Sequence, residues 1–267
     1  MPLVVCATPI GNLEDVTLRV LAELRAADVV LCEDTRHTRG LLERHGIEAR
    51  LLSYHEHNEA SRTSELLPRL EAGERIALVS DAGMPGVSDP GARIVRAALD
   101  AGVEVTVLPG PSAVETALVA SGLVGERYQF VGFLPRGAKA LTDLWEELSS
   151  WHWPAVAFES PHRLQATLRS LAVADAARPV AVCRELTKRY EEVARGTAAE
   201  LAERLVEPPK GEITLVIGPA PARAVDEAAA LAAVAELVEA GLPRKRAAEL
   251  VARLTGAARN RLYRGSL

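Results

Sequence analysis

The sequence predicts an α/β protein of two sheet-containing domains, residues 1–115 and 116–218, followed by a small basic helical module at 226–267. Three observations carry this. Short β-branched runs alternate with helical patterns up to about residue 115, as in a mostly parallel sheet covered on both faces. Between Gln129 and Ile217 some strand-like runs follow one another after only short connections, which calls for antiparallel pairs. From Leu242 to Leu267 there are seven basic residues and one acid, Glu249, a net of +6 that leaves −11 for residues 1–241 of a chain whose formal net charge is −5.

The runs "PLVVCATP" and "DVVLCED" read as buried parallel strands. Between them "LEDVTLRVLAELRAA" sets Val16, Val20 and Leu24 at helical spacing, so one helix is expected across the whole stretch. Helix and strand then alternate through "RHTRGLLERHG", "ARLLSY", "SRTSELLPRLEAG", "RIALVS", "GARIVRAALDAG" and "VEVTVLP". In the second domain "QFVGFLP", "AVAFES", "PVAVCREL", "YEEVARG" and "GEITLVI" read as strands, and "KALTDLWEELSS", "PHRLQATLRSLA" and "TAAELAERL" as helices. In the tail Ala247, Leu250, Val251 and Leu254 lie on one helical face, which predicts a folded basic helix pair whose cations meet phosphates.

Ligands of a parallel α/β sheet gather outside the carboxyl ends of its strands. Four loops fall there: "ATPIGN", "CEDTR", "LVSDAGMPGVSDPG" and "PGPSA". The third mixes Gly83, Gly86 and Gly91 with Pro85 and Pro90, so its backbone is both shaped and stiff. Asp89 stands directly before Pro90, the pattern of a residue that caps a helix.

Several classes are excluded. No apolar run approaches the roughly 18–20 residues of a membrane span, and the amino terminus lacks a signal-peptide pattern, so a cytoplasmic protein is expected. Cys6, Cys32 and Cys183 are odd in number and widely spaced, which argues against disulfides and zinc; His55 and His57 lack a third ligand, so no metal is expected. No two glycines stand as G-x-G, and after Gly86 and Gly91, at P-loop spacing, Ala92 and Arg93 replace the required Lys and Ser/Thr. A loop of carbonyls and carboxylates suits a cation better than a phosphate. S-adenosylmethionine, with its sulfonium and amino group, is such a ligand.

The ordered series "ATPIGNLEDVTLR", "CEDTR", "SDAGMPGVSDPG", "PGPSA", "FVGFLPR", "PHR", "CRELTK" and "GEITLVI" resembles the tetrapyrrole methylase superfamily, and within it the branch that methylates ribosomal RNA. The resemblance spans residues 1–267 and includes a similar basic helical tail. It implies a bilobal fold, a homodimer, and S-adenosylmethionine bound folded in the cleft between the lobes. Its implied activity is 2'-O-methylation of a cytidine in the decoding region of 16S rRNA, with either the small ribosomal subunit or the free RNA as acceptor. By motif, the cofactor lies against Pro9, Asp81, Gly83, Met84, Ser112 and Ala113, and in the second lobe against Phe158, Leu186 and Thr214. A ribose hydroxyl is weakly acidic, so a base or a cation should help; the rim candidates are Glu33, Asp34, Arg36, Glu185 and Lys188, the lysine serving as a cation or as a base of lowered pKa. RNA contacts are expected at Arg244, Lys245, Arg246, Arg259 and Arg261, with Arg36, Arg136 and Lys139 on the body. A small-tetrapyrrole methylase leaves the tail unexplained, and a non-catalytic RNA-binding protein leaves the rim loops idle.

Overall fold

Two β-branched runs, β1 (Leu3–Cys6) and β2 (Val29–Cys32), are buried at every position, as strands covered on both faces must be. The computed structural model describes residues 2–220 and 227–265. With β3 (Leu51–Ser53), β4 (Ile76–Leu78) and β5 (Val105–Leu108) they form one sheet in the order β3-β2-β4-β1-β5, parallel throughout. Side chains alternate across it. Val4, Cys6 and Val30 meet Val20 and Leu24 of α1 (Leu18–Ala26) and Leu41 of α2 (Thr35–Arg44). Leu3, Val5 and Leu31 meet Leu66 and Leu70 of α3 (Glu59–Glu71) and Ile94 of α4 (Ala92–Asp100). Each fully buried Leu or Ile contributes about 1.5–3 kcal/mol. The chain leaves β1 toward β2 on one side and β4 toward β5 on the other, so the adjacent pair β1 and β4 marks the topological switch point, where such sheets bind ligands.

The helix expected over "LEDVTLRVLAELRAA" is broken. Leu13–Asp15 form a single 3₁₀ turn, Val16 and Thr17 are extended, and α1 begins only at Leu18, where Thr17 Oγ1 accepts from the Val20 N–H at 3.2 Å. The cap decides the start, because an unpaired N–H at a helix terminus needs an acceptor.

After α5 (Ala113–Ser121) the chain builds a second sheet from β6 (Gln129–Phe133), β7 (Ala155–Glu159), β8 (Pro179–Arg184), β9 (Glu192–Thr197) and β10 (Ile213–Ile217). Its order is β6-β7-β10-β8-β9, with only β6 and β7 parallel. One face, including Ala157, Val182 and Leu215, packs on Trp145 of α6 (Ala138–Ser149), Leu168 of α7 (Leu164–Ala174) and Leu201 of α8 (Ala198–Arg204). The other face takes α5 through Val114, Ala117 and Leu118 against Val156, Ala181 and Val216. The boundary expected at 115/116 therefore falls inside a helix that packs on the second sheet.

The chain divides into two compact units, Met1–Ala220 and Pro221–Leu267. The second holds α9 (Glu227–Glu239), α10 (Arg244–Thr255) and α11 (Arg259–Gly265) around Ala230, Val234, Ala247, Ala248, Val251 and Leu262. These are three described helices where a pair is expected; residues 226, 266 and 267 of the expected module lie outside the described residues. Leu254, expected on the buried face, is 74% exposed. The adjacent small residues Ala247 and Ala248 give α10 its contact surface, and Leu254 lies beyond it, just before the left-handed Gly256 that ends the helix. Among the described residues no helix is long and apolar enough to cross a membrane.

Candidate active site

Backbone hydrogen bonds clip the rim loops together at the switch point. Thr8 and Gly83 exchange N–H to O=C bonds of 2.9 and 3.1 Å, and Thr8 Oγ1 donates to the Ser80 carbonyl at 3.0 Å. The Asp34 N–H donates to Asp81 Oδ1 at 3.1 Å, tying the loop after β2 to the loop after β4. Gly110 lies so near Ala7 that a Cβ on it would come within 2.9 Å of the alanine Cβ, which brings in the loop after β5. All four loops thus meet on one rim.

Within the loop after β4, Gly83, Gly86 and Gly91 have φ of +76°, +82° and +139°, values that disfavour other residues. Gly91, not Asp89, is the N-cap of α4, and no side chain caps that helix. A left-handed Ser88, φ +61°, precedes Asp89, and Asp89 lines the cleft. Its carboxyl is pushed up to about 6, first by burial and then by the charges of Glu33 and Asp81, against a hydrogen bond from Ser80.

The cleft has a volume of about 480 Å³, within the usual range of small-molecule sites. Its first wall is the rim. The second is a cross-strand row, Phe158–Thr214–Cys183, set by the β7–β10–β8 register on the face that α5 also covers. Of the residues expected at the cofactor, Asp81, Gly83, Met84, Ser112, Ala113, Phe158, Leu186 and Thr214 line this cleft. Pro9 is buried outside it, and its neighbour Ile10 takes the place in the wall. Sequence reasoning did not single out Phe133, Glu159 and Glu212, which also line it.

At the edge of the cleft the segment Glu185–Lys188 is strained. Glu185 and Thr187 have φ of +51° and +66°, costing about 1–3 kcal/mol each for a residue with a Cβ. Hydrogen bonds offset this. The Glu185 N–H donates to the Glu212 carbonyl and the Glu212 N–H to Glu185 Oε1, both at 3.0 Å. The Thr187 N–H donates to Glu191 Oε2 at 2.6 Å, while Thr187 Oγ1 accepts from the Asn12 N–H at 3.0 Å. Gly11 is required opposite, since a Cβ there would fall 2.5 Å from Lys188 Cγ.

Lys188 Nζ lies 2.9 Å from both Glu185 Oε1 and Glu212 Oε2. Burial acts to lower its pKa, but the two carboxylates outweigh burial and the net shift is upward. Lys188 is therefore a cation at neutral pH, and the alternative of a lysine base of lowered pKa is set aside. Glu185 is held below its ordinary value, first by the Glu212 N–H and then by Lys188. Glu33 is raised, by burial and then by Asp81. Asp34 is held far down by its hydrogen bonds from Arg36, which engage both carboxylate oxygens and leave little basicity.

The expected RNA contacts are mostly exposed, yet many are already engaged. Arg36 pairs with Asp34 at 2.7 Å and Lys139 with Asp143 at 2.8 Å; Arg136 is exposed. In the C-terminal unit Arg246 and Arg259 share Glu249, at 3.6 and 3.8 Å, and Arg261 meets Glu227 at 2.9 Å. Arg244 and Lys245, at the start of α10, have no ion pair among the described residues.

A cationic, partly aromatic ligand suits this cleft: Asp81 and Asp89 supply carboxyl groups, and Ile10, Met84, Phe158 and Leu186 supply apolar walls. A parallel-sheet lobe and a mixed-sheet lobe closing on such a cleft define a two-lobed methyltransferase that takes S-adenosylmethionine. The family model for tetrapyrrole (corrin/porphyrin) methylases matches residues 2–202, and the chain belongs to that family. A second model, the RsmI C-terminal HTH domain, matches residues 224–265, where α10 and α11 are joined by a short turn at Gly256. The chain is similar to ribosomal RNA small subunit methyltransferase I of Mesorhizobium japonicum, 46% identical over 97% of this chain and 88% of that one. It is likewise similar to ribosomal RNA small subunit methyltransferase I of Escherichia coli O157:H7, 41% identical over 99% and 94%. Among solved structures, the uroporphyrin-III C-methyl transferase from Thermus thermophilus complexed with S-adenyl homocysteine shares the fold, with a TM-score of 0.56 and 21% identity over 80% of this chain and 96% of that one.

Proposed function

We propose that this chain transfers a methyl group from S-adenosylmethionine to 16S rRNA of the small ribosomal subunit, at the 2'-oxygen of a cytidine in the decoding region. One observation carries the reading: a methylase cleft and a basic three-helix unit stand in the same chain, and the relatives that match over nearly its full length are named for methylating small-subunit ribosomal RNA. When bound, the cofactor supplies an electrophilic methyl group on a sulfonium. Asp81 and Asp89 would hold a cationic ligand by charge, and Gly83 would allow close backbone approach. The ribose oxygen would gain the methyl group as the methyl–sulfur bond breaks, leaving the neutral thioether product, and its hydroxyl proton would pass to water. Lys188, fixed by Glu185 and Glu212, would stabilise the negative charge that develops on that oxygen. Such preorganised stabilisation is typically worth about 10²–10³ in rate. Alignment in the closed cleft contributes further, roughly 7–11 kcal/mol in favourable systems.

The proposed protein works in the cytoplasm as a homodimer. The strand β5 lies at the edge of its sheet and exposes the apolar side chain of Val107 (53%), which supports pairing with a second copy. Light scattering at micromolar concentration tests it, and a monomer there sinks it. For the activity, tritiated S-adenosylmethionine is supplied with small subunits, free 16S rRNA, or a uroporphyrin. Label at a cytidine 2'-oxygen is expected with the subunit; label only in the uroporphyrin overturns the reading.

A further inference from the structure

The chain has only three phenylalanines, and all three form one edge-to-face ladder, of which Phe133 and Phe158 line the cleft. Phe130 and Phe133 each meet Phe158, with ring centroids 5.1 and 5.4 Å apart. Residues three apart on a regular strand point to opposite faces, so this arrangement needs a device. It is a β-bulge: Phe130 pairs with Val156 but Phe133 pairs with Phe158, so β6 carries one extra residue against β7. Gly132, with φ of +69°, takes the turn. Bulges of this kind re-aim side chains beside active sites.

The re-aimed side chain is left 66% exposed while lining the cleft. Burying Phe133 would be favourable by the ordinary hydrophobic term, yet the bulge holds it out at the mouth. Its backbone is braced. The Leu134 N–H donates to the Phe158 carbonyl at 3.1 Å, and the Arg163 guanidinium donates to the carbonyls of Leu134 and Pro135. Opposite, the first lobe contributes Val87, 47% exposed, and Ser88, whose Oγ lies 3.8 Å from where a Gly132 Cβ would stand. The mouth thus has an aromatic ring on a braced backbone from one lobe and an apolar side chain from the other. Beyond Pro135 the exposed Arg136 adds positive charge.

We propose that Phe133 is a nucleobase platform: an unstacked base of single-stranded RNA lies on its ring, with Val87 on the other side, and so presents its ribose to the cleft. This rests on the RNA-methylating reading above. Sequence-specific RNA recognition targets unstacked bases, which are commonly stacked on Phe and other aromatic side chains, and enzymes that act on a base hold the extruded base between aromatic and apolar side chains. The remaining walls, with Asp81 and Asp89, stay available to the cofactor.

The test compares Phe133→Ala, Phe133→Leu and Phe133→Trp in the full chain. It measures KM and kcat on small ribosomal subunits, and S-adenosylhomocysteine affinity by calorimetry. Phe133→Ala and Phe133→Leu should raise KM for the subunit by roughly 5- to 150-fold, the cost of losing one base–aromatic stack, with cofactor-product affinity unchanged. Phe133→Trp should restore parental KM. Parental KM in Phe133→Ala, or an equal loss of S-adenosylhomocysteine affinity, overturns the platform while leaving the RNA-methylating reading intact. Failure of the parent to methylate any ribosomal RNA overturns both.

Discussion

The Lys188 ammonium and the Glu185 carboxylate lie 2.9 Å apart on a segment where Glu185 itself adopts a left-handed backbone, so the ion pair and the strain are parts of one arrangement. Glu212 completes it from the neighbouring strand end. Replacing Lys188 with Met should lower kcat by about 10²–10³ and leave S-adenosylmethionine affinity unchanged. Lys188→Arg should restore part of the rate. Single-turnover methylation of small subunits, with calorimetry for the cofactor, checks this; parental kcat in Lys188→Met removes the lysine from the chemistry. Because the Lys188 pKa is raised, its charge sets no rate limit between pH 7 and about 10. Glu185 titrates below its ordinary value, so its stabilising contribution is present above pH about 4.5 and is lost as pH falls through its lower folded value.

Asp89 works in the opposite sense. A carboxyl raised to about 6 is disfavoured as an anion in the fold, so it lowers stability as pH rises from about 4 through 6. A cationic ligand prefers that anion, so cofactor affinity should rise over the same interval. Asp89→Asn should flatten the pH dependence of S-adenosylmethionine binding, weaken it at pH 7, and raise the melting temperature of the unliganded protein there. Calorimetry at pH 5 and 7.5 reads the first two effects and thermal unfolding the third. An unchanged pH slope in the variant would place the sensitive group elsewhere.

Gly83 has φ of +76° and exchanges both backbone bonds with Thr8. A Cβ at this position meets only Ile10 Cγ2 and the Pro111 carbonyl at ordinary contact distances, 3.7 and 3.8 Å. The cost of Gly83→Val is then backbone conformation, at least about 1–2 kcal/mol, together with a side chain turned toward the cleft. The variant should fold with a lowered melting temperature and bind S-adenosylmethionine at least tenfold more weakly. Full affinity in a folded variant would remove this loop from the cofactor site.

In the C-terminal unit Arg244 and Lys245 are without ion pairs among the described residues, whereas Arg246, Arg259 and Arg261 already face glutamates. Replacing Arg244, Lys245 and Arg246 with Ala should raise KM for the subunit and flatten the salt dependence of binding by roughly 0.7–0.9 in slope per lost phosphate contact. Most of that change should come from Arg244 and Lys245. The helix should persist, since Ala favours it and Ala247, Ala248 and Val251 keep the buried face. Filter binding between 50 and 300 mM salt measures the slope; a triple variant with parental slope and KM would make this surface merely solvated.

Periodicity and punctuation alone determined the strand–helix alternation of the first lobe, its parallel sheet, the antiparallel pairs of the second, and the rim on which the four loops meet. These are local properties, because alternation places Val4 and Val5 on opposite faces whatever else the chain does. The motif resemblance likewise singled out eight residues that line the cleft. Tertiary structure alone decided the rest. Asp89 looks like a helix cap in one dimension and becomes a cleft carboxyl because the left-handed Ser88 and Gly91 turn the chain between them. Leu254 fits the helical face but stands exposed in the last turn of α10. Lys188 has no pKa preference readable from "RELTK", since its charge depends on Glu212, 24 residues away in sequence and 2.9 Å away in space. Phe133 falls on the wrong face of its strand until a bulge against β7 turns it. Each of these depends on a partner brought close only by folding, and pairwise electrostatics and packing act through distance in space, not separation along the chain.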